Sequence, residues 1–436
     1  MEEIHLKIDD LDMLGRGIAH CDGKAFFVNN ALINETVIAK PLFTKNNIVF
    51  CDNIEILNES EDRVTPPCPY YNLCGGCDLQ HLKYSKTLEF KKNQLITTFK
   101  KVAKIDISDL NIELIECKNQ YHYRNKVALK IDYKNNDFII GLTKKSSHEI
   151  VDIDDCLICD EKIKIIITLV REFLSKNKTK IIENDTCLIS HLVVRIIENK
   201  ILLTFVSIKD LKINFDELFA NLKHHFNIVG INVNLNKSKK EILSHKFIHK
   251  IGAKKLEINV NNISFEITNG SFMQVNLDIQ DKIYKTVCEN ITKDTINAFS
   301  GAGLLTALIS KNNVNKVYGL EINKEAHKLA EQLKEKNNIQ NMINLCGNAN
   351  QLIETLNLAN FDLVIDPPRN GIDKNFVKTI LNNLPDKIIY VSCNPTTLAN
   401  NIKSLSNKYV ISKIFAYDMF CQTKNLETLV ILEKVK

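Results

Sequence analysis

From about residue 261 onward, the chain alternates short apolar runs of strand type with helical stretches. Such alternation is typical of a parallel, doubly wound α/β sheet, because parallel strands need a crossover to return the chain. The predicted strands cover 294–299, 316–320, 361–365 and 388–391, and further strand-type runs cover 415–419 and 429–432. In such a sheet the carboxyl ends of the parallel strands meet at one edge, where ligands bind. The pattern therefore predicts both the fold of this region and the location of its chemistry.

Two of these strand ends have features of a nucleotide-binding site. The first predicted strand leads into Ser300-Gly-Ala-Gly303, where glycines let a ligand approach the backbone at a helix N-terminus. The next strand ends in Glu321, and an acid about 20 residues after such glycines can accept hydrogen bonds from ribose hydroxyls. Gly301 and Gly303 alone are a weak signal. Together with Glu321 they predict a site for a nucleoside-bearing cofactor.

The following two strands end in polar loops that contain proline. One leads into Asp366-Pro-Pro-Arg-Asn-Gly371 and the other into Ser392-Cys-Asn-Pro395. Proline cannot donate a hydrogen bond to a central strand, so both strands are expected to stop there. A thiolate at Cys393 would be a strong nucleophile at this edge, although free cysteines are often inert core residues. Glu427, ahead of a predicted edge strand at 429–432, is by itself typical of a solvated turn.

Cysteines form a second signal, because thirteen in a chain without a secretory signal indicate metal binding or catalysis rather than disulfides. Cys68, Cys74 and Cys77 form a C-x5-C-x2-C run, and Cys156 and Cys159 offer a fourth ligand. A structural zinc site would use the two C-x2-C pairs, but they lie farther apart than in zinc ribbons. Three clustered cysteines with a remote fourth are more typical of an iron–sulfur cubane.

The N-terminal region predicts a small all-β unit. Residues 4–57 contain five short β-prone runs separated by turn residues, which suggests a closed barrel without exposed edges. Residues 1–60 hold five basic residues against ten acids, so the rest of the chain has the cationic excess that suits a polyanion. Composition alone favours a plain β-module over an RNA-binding one. Two prolines at 66–67 mark the following boundary.

The middle of the chain predicts an α+β domain without a catalytic signature of its own. Residues 79–104 predict a basic amphipathic helix whose lysines, Lys91 among them, form a solvated face. Tyr121–Lys126 interleaves aromatic and cationic residues, a mixture that suits RNA but also occurs at sheet edges. We therefore expect three domains, at 1–58, 59–260 and 261–436.

The composition, with 44% hydrophobic and 25% charged residues, is that of an ordinary globular protein. No apolar run reaches the ~18 residues that a membrane span needs, and the first residues contain no apolar signal region. We expect a cytoplasmic monomer with no membrane segment.

Taken together, these motifs resemble those of the RNA uracil-5 methyltransferases, in particular the 23S ribosomal RNA branch with a TRAM domain and a [4Fe-4S] cluster. Ser271-Phe-Met-Gln-Val-Asn276 is similar to the F-x-Q-V-N segment of the family, and the two proline loops are similar to its D-P-P-R-x-G and S-C-N-P motifs. Asp418–Glu427 resembles D-M-F-P-x-T-x-H-x-E. Cys421 and Asn425 depart from the proline and histidine of that segment.

The resemblance implies a Rossmann-like C-terminal methyltransferase domain and a role for each motif. Cys393 would be the nucleophile and Glu427 the general base. S-adenosylmethionine would be bound by Gln274, Phe299, Gly301, Gly303, Glu321, Asn348 and Asp366, where Asn348 replaces the aspartate of many relatives. The cluster ligands would be Cys68, Cys74, Cys77 and Cys156, with Cys159 left over.

The implied reaction is methylation of a flipped-out uridine at C5 in 23S ribosomal RNA. It requires Cys393 as an activated thiolate, so we expect its pKa to be lowered from the ~8.5 of a free thiol. The same reaction on tRNA is one alternative. A non-catalytic RNA-binding protein on this scaffold is another, and the joint presence of Cys393, Glu427 and Glu321 argues against it. A radical methyltransferase would be expected to have a C-x3-C-x2-C motif instead.

Overall fold

The computed structural model describes residues 2–238, 240–312 and 315–435. Counted over these ranges, the N-terminal part is a six-stranded sheet with its own apolar core. Five of its strands coincide with the five predicted runs, and a two-residue strand is added. The strands are β1 (Ile4–Lys7), β2 (Asp10–Leu11), β3 (Gly17–Cys21), β4 (Lys24–Asn29), β5 (Thr36–Lys45) and β6 (Ile48–Asn58), hydrogen-bonded in the order β1-β5-β6-β4-β3-β2.

The middle part is built on a mixed sheet, for which seven strands are described, in the order β10-β9-β8-β13-β14-β15-β16. One face of this sheet packs on helices around a large apolar core, as the predicted α+β domain requires. Its elements in chain order are α1 (Tyr84–Thr98), a π-helix (Phe99–Ala103), β7 (Ile112–Ile115), β8 (Lys126–Lys134), β9 (Asp137–Thr143), β10 (Ile150–Asp152), α2 (Ile163–Lys176), α3 (Lys178–Ile181), β11 (Ile182–Glu183), β12 (Thr186–Cys187), β13 (Ile189–Ile197), β14 (Lys200–Ser207), α4 (Asp216–His225), β15 (Asn227–Leu235) and β16 (Phe247–Gly252).

The C-terminal part is the predicted doubly wound sheet. Its elements are β17 (Leu256–Val260), β18 (Ile263–Ile267), α5 (Leu277–Glu289), β19 (Thr295–Ala298), α6 (Leu304–Asn312), β20 (Val317–Glu321), α7 (Lys324–Lys336), β21 (Met342–Cys346), α8 (Ala349–Leu356), β22 (Asp362–Ile365), α9 (Lys374–Asn383), β23 (Lys387–Ser392), α10 (Pro395–Leu405), β24 (Tyr409–Tyr417) and β25 (Glu427–Lys434). Within the described part of the chain, eight strands pair in the order β21-β20-β19-β22-β23-β25-β24-β7. The winding reverses between β19 and β22, which is where such sheets bind ligands.

The prediction of an edge strand at 429–432 was wrong. That segment belongs to β25, which lies between β23 and β24, because β24 and β7 continue the sheet beyond it. β7 comes from the range predicted for the middle domain, and its Ile112 pairs with Ile414 of β24. The division into three domains stays a prediction. None of the described helices is long and apolar enough to cross a membrane.

Helix α1 differs from its predicted solvated lysine face at one residue. Lys91 follows Leu88 by three positions and precedes Leu95 by four, so it lies on the same face as these buried leucines. Its ammonium group contacts the carboxylate of Asp418 at 2.5 Å, and both side chains are 0% exposed. The sequence signal was a cation within an apolar stripe, and it indicated a buried ion pair rather than a solvated charge.

Candidate active site

Three predicted site residues meet at the carboxyl edge of the eight-stranded sheet. Cys393 follows β23 directly, and Glu427 is the first residue of β25. These strands are antiparallel neighbours, and Ser392 is the register partner of Thr428. The pairing therefore sets Cys393 and Glu427 opposite each other. Asp366 directly follows β22, the parallel neighbour of β23. The fold thus brings a thiol and two carboxyl groups together from three chain segments.

The two carboxyl groups are electrostatically coupled. Glu427, which its sequence context alone assigns to a solvated turn, is 1% exposed. Burial, followed by the charge of Asp366, raises the pKa of Glu427 well above its ordinary value. Burial also raises the pKa of Asp366 to about 7. A carboxylate with a raised pKa is a stronger base than an ordinary glutamate.

The expectation of a lowered pKa for Cys393 was wrong for the free protein. Partial burial, followed by the negative charge of Glu427, raises the pKa of this thiol. Arg369 opposes these effects through its charge and through a hydrogen bond to the thiol. A nucleophile motif identifies the thiol, but the buried carboxylates around it come from other segments and are not visible in the motif.

Sequence reasoning missed Arg369 as a functional candidate. The arginine lies in the D-P-P-R-x-G loop, where only the aspartate had been assigned a role. Its charge lowers the pKa of Glu427 as well as that of Cys393, so one guanidinium stabilises negative charge on both groups. Its carbonyl accepts hydrogen bonds from Asn394 Nδ2 at 3.1 Å and from the Thr397 hydroxyl at 3.2 Å. The signal was a cation in a proline loop at the predicted edge.

Glu321, the predicted cofactor acid, lies beside the glycine turn. Its two carboxylate oxygens accept hydrogen bonds from the Gly301 N–H at 2.9 Å and from the Asn323 N–H at 2.7 Å. A Cβ added at Gly301 would meet nothing within 4 Å, whereas one added at Gly303 would lie 2.7 Å from the Cβ of Ala330. Gly301 therefore borders open space, while Gly303 is needed for close packing of the turn.

A cavity of about 590 Å³ opens next to this turn. Its lining includes Gly301, Glu321 and Phe272, whose residue surface is 75% exposed. An acid that accepts hydrogen bonds, next to an accessible glycine backbone, fits the ribose of a nucleoside. S-adenosylmethionine contains such a nucleoside, so the residues of this cavity fit the cofactor that the resemblance implies.

The other predicted cofactor residues lie nearby in the C-terminal part. Phe299 follows β19 with a φ of 63°, and its ring packs on Phe376 at a centroid distance of 5.3 Å. Asn348 caps α8 by accepting a hydrogen bond from the Asn350 N–H at 2.9 Å. Gln274 is buried, just ahead of α5. Their roles in binding the cofactor stay predictions.

The four predicted cluster ligands line one small cavity, although they come from two distant chain segments. They are Cys68, Cys74, Cys77 and Cys156. Negative charge on Cys156 contributes to raising the pKa of each of the three clustered thiols. Cys159 is fully buried beside Cys156 and donates a hydrogen bond to its sulfur, which lowers the pKa of Cys156.

Both metal hypotheses stay predictions. Among the residues that the structure describes, no group of three or more His, Cys, Asp or Glu side chains converges closely enough to hold one metal ion. Zinc takes its four ligands at about 2.0–2.3 Å from a single point. In an iron–sulfur cubane each cysteine binds a different iron, so the sulfurs surround a volume. The four thiols that line the cavity have the donor type that such a cluster requires, and its presence stays a prediction.

The chain matches the family model described as tRNA (uracil-5-)-methyltransferase over residues 83–435. It is 33% identical over 443 residues to an uncharacterized RNA methyltransferase of Staphylococcus epidermidis, an alignment that covers 98% of this chain and 96% of the relative. A relative from Listeria monocytogenes, also named as an uncharacterized RNA methyltransferase, is 33% identical over 447 residues, with 99% and 97% covered.

A similar solved structure is that of the Pyrococcus abyssi tRNA (uracil-54, C5)-methyltransferase in complex with S-adenosyl-L-homocysteine. Its TM-score is 0.77 at 22% identity, and the alignment covers 98% of this chain and 100% of that one. This likeness confirms the predicted methyltransferase fold. The family model and the bacterial relatives extend the conclusion from fold to family. The chain belongs to the tRNA (uracil-5-)-methyltransferase family and is an S-adenosylmethionine-dependent RNA methyltransferase.

Proposed function

We propose that the protein methylates C5 of a uridine in 23S ribosomal RNA, with Cys393 as nucleophile and Glu427 as base. The observation that carries the chemistry of this proposal is the juxtaposition of Cys393, Glu427 and Arg369 at one sheet edge. C5 of uracil is too weakly nucleophilic to take a methyl group directly. A thiolate that adds to C6 converts C4–C5 into an enolate, which is nucleophilic at C5.

Cys393 must lose its proton before it can add to C6. Because burial and Glu427 raise the pKa of the thiol, ionisation is favoured at alkaline pH and depends on the opposing charge of Arg369. The target uridine has to leave its stack to reach this buried edge, so we expect it to be flipped out.

Glu427 acts after the methyl group has been transferred. Its carboxylate takes the C5 proton, the electron pair of the C5–H bond forms the C5–C6 double bond, and the C6–S bond breaks to release the thiolate of Cys393. The raised pKa of Glu427 makes it a stronger base for this step. A lone turn glutamate in water would be a weaker one.

S-adenosylmethionine, when bound, supplies the methyl group from its sulfonium centre. We assign the nucleoside to Gly301 and Glu321, which line the cavity at the glycine turn. Further contacts are proposed for Gln274, Phe299, Asn348 and Asp366. Gly303 supports the turn through its packing on Ala330.

We assign a [4Fe-4S] cluster to Cys68, Cys74, Cys77 and Cys156, in preference to zinc. The support for this assignment is that the four thiols border one cavity and that three clustered cysteines with a remote fourth are typical of a cubane. The reaction causes no net oxidation or reduction of the protein, so we assign the cluster a structural or RNA-orienting role.

The N-terminal sheet is proposed to be a TRAM-type barrel that binds RNA. The guanidinium of Arg16 lies 5.1 Å from the ring centroid of Phe27 and 5.0 Å from that of Phe50. Phe43 stacks on Phe50 at 4.5 Å and is 54% exposed. Exposed aromatic rings beside a cation are typical of surfaces that stack nucleic-acid bases.

tRNA is the second candidate substrate, because the similar solved structure is that of a tRNA uracil-54 methyltransferase. The barrel and the cysteine site favour ribosomal RNA. The experiment is incubation with tritiated-methyl S-adenosylmethionine and 5-fluorouracil-substituted 23S transcripts or tRNA, followed by a denaturing gel. Fluorine cannot leave as a proton, so the Cys393 adduct should be trapped with labelled RNA. Adducts with tRNA alone would identify tRNA, and not 23S ribosomal RNA, as the substrate. The absence of an adduct with either RNA would refute the mechanism.

A further inference from the structure

Glu427 is preceded by an irregular segment, Asp418–Leu426, which we call the base loop. It joins β24 to β25 and is mostly buried, with Asp418 and Cys421 both 0% exposed. A buried loop needs hydrogen-bond partners for its backbone. Several of these partners come from outside the C-terminal sheet, from helix α1 and from the segment that contains Cys77.

The first anchor is on α1. The Lys91 ammonium contacts the Asp418 carboxylate at 2.5 Å and donates to the Phe420 carbonyl at 3.1 Å. The hydroxyl of Tyr84 donates to the other oxygen of Asp418 at 2.9 Å. Breaking a fully buried ion pair leaves one charge without compensation, so this anchor strongly restrains the start of the base loop.

The second anchor is Asp78, the residue directly after Cys77. The N–H groups of Asp78 and of the next residue both donate to the Gln422 carbonyl, at 2.9 and 3.0 Å. In return, the Asp78 carboxylate accepts hydrogen bonds from the backbone N–H of Lys424 at 3.2 Å and from its ammonium at 3.0 Å. The base loop is therefore clamped a few residues before Glu427.

We propose that Lys91 and Asp78 are positioning residues that hold Glu427 in place for removal of the C5 proton. The inference rests on the proposed function. A displacement of about 1 Å can cost a catalytic group much of its efficiency. Thiolate addition and methyl transfer do not use Glu427, so loosening an anchor should slow mainly the loss of the C5 proton.

This selectivity has a chemical signature. Until Glu427 takes the C5 proton, the electron pair that forms the C5–C6 double bond is not available and the C6–S bond cannot break. RNA that has already received its methyl group then stays attached to Cys393. A defect of folding or of RNA binding would instead reduce methyl transfer and proton release together.

The test uses full-length protein in single-turnover reactions with [14C]methyl S-adenosylmethionine and RNA that contains [5-3H]uridine. The unmodified protein should release tritium as fast as it transfers methyl groups. Asp78→Ala should transfer methyl within about threefold of that rate but release tritium at least about tenfold more slowly. A denaturing gel should then show 14C in a protein–RNA adduct, and Asp78→Glu should restore part of the tritium release.

Lys91→Met tests the first anchor, with Lys86→Met as its matched control on the same helix, where the ammonium pairs with Glu89 at the surface. Iron content and circular dichroism show whether each variant keeps its cysteine site and its fold. If Lys91→Met does not fold, the Asp78 variants still test the proposal, because the Asp78 side chain is partly exposed and its replacement should be tolerated. If Asp78→Ala slows methyl transfer and tritium release equally, or leaves both rates unchanged, the inference is overturned. Absence of methyl transfer by the unmodified protein refutes the proposed function, and this inference with it.

Discussion

Cys393 and Glu427 face each other across the antiparallel pair of β23 and β25, because Ser392 is the register partner of Thr428. The Cα atoms of residues opposite each other on antiparallel strands lie about 4.5–5.5 Å apart. The proposed reaction needs a nucleophile at C6 and a base at C5, two adjacent atoms of one ring. Because both residues are adjacent to the last register pair of β23 and β25, these hydrogen-bonded strands restrain their separation more than two independent loops could.

Cys393→Ala should abolish methylation and leave the fold intact, because the residue is only partly buried and its thiol has no replacement as nucleophile. The loss should exceed about a thousandfold, with no adduct to 5-fluorouracil RNA. Cys187→Ala, at a half-buried cysteine far from the edge, is the control and should keep full activity. Methyl transfer by Cys393→Ala would exclude it as the nucleophile.

Glu427→Gln should retain methyl transfer and lose proton removal, because an amide cannot accept the C5 proton. With ordinary uridine RNA, a methylated protein–RNA adduct should accumulate on a denaturing gel, whereas the unmodified protein should show little. Normal release of 5-methyluridine RNA by this variant would mean that another group is the base.

Arg369→Met should move the rising limb of the pH–rate profile to higher pH. Its charge lowers the pKa of Cys393 and of Glu427, so both groups ionise at higher pH without it. The rate at pH 7 should fall about tenfold or more and recover in part at pH 9. Arg369→Lys keeps the charge and should shift the profile less. A loss that is equal at every pH would contradict this electrostatic role.

Asp366→Asn should raise the free energy of unfolding at pH 8. The pKa of Asp366 is about 7 in the folded protein and about 4 in the unfolded chain. Its contribution to stability is therefore complete below pH 4 and is lost as the pH rises through 7. Asparagine resembles the protonated carboxyl and removes this loss, roughly 1–4 kcal/mol. Urea unfolding should show a larger gain at pH 8 than at pH 5, and equal effects would contradict the assignment.

Protein purified without oxygen should be brown and contain about four irons per chain. Cys77→Ser should lose most of this iron, because it removes a ligand from the cavity wall. Cys159→Ala is the matched control and should keep most of the iron, because Cys159 is not among the residues that line the cavity. A colourless preparation with one zinc per chain would contradict the cluster.

The strands β19, β20, β22 and β23 were predicted from the sequence pattern, whereas β21 and β7 of the same sheet were not predicted. The strand predicted at 361–365 is β22 (Asp362–Ile365), and the strand predicted at 388–391 is β23 (Lys387–Ser392). Polar residues at their ends were correctly placed at one edge. The position of β25 was not predictable, because a strand's own pattern does not reveal which other strands extend the sheet beyond it.

Residues that act through distant partners were the ones that sequence reasoning misjudged. Lys91 was assigned to a solvated face, yet it pairs with Asp418, which is far away in the chain. Cys393 was expected to have a lowered pKa, and the carboxylates that raise it come from other strands. Arg369 lies within a recognised motif, but its effect on the pKa of Glu427 depends on how two separate chain segments pack together.

The strand–helix alternation was predictable from the sequence, and so were the kinds of side chain at each strand end and the family resemblance. These features depend on local backbone preferences and on residues close together in the chain. Folding pairs Ser392 with Thr428, places cysteines from two distant segments around one cavity and brings Asp78 to Lys424, and none of these contacts is visible in the local pattern. Burial, charge and register arise between segments that the chain order keeps apart. These long-range contacts set the strength and the position of the proposed base.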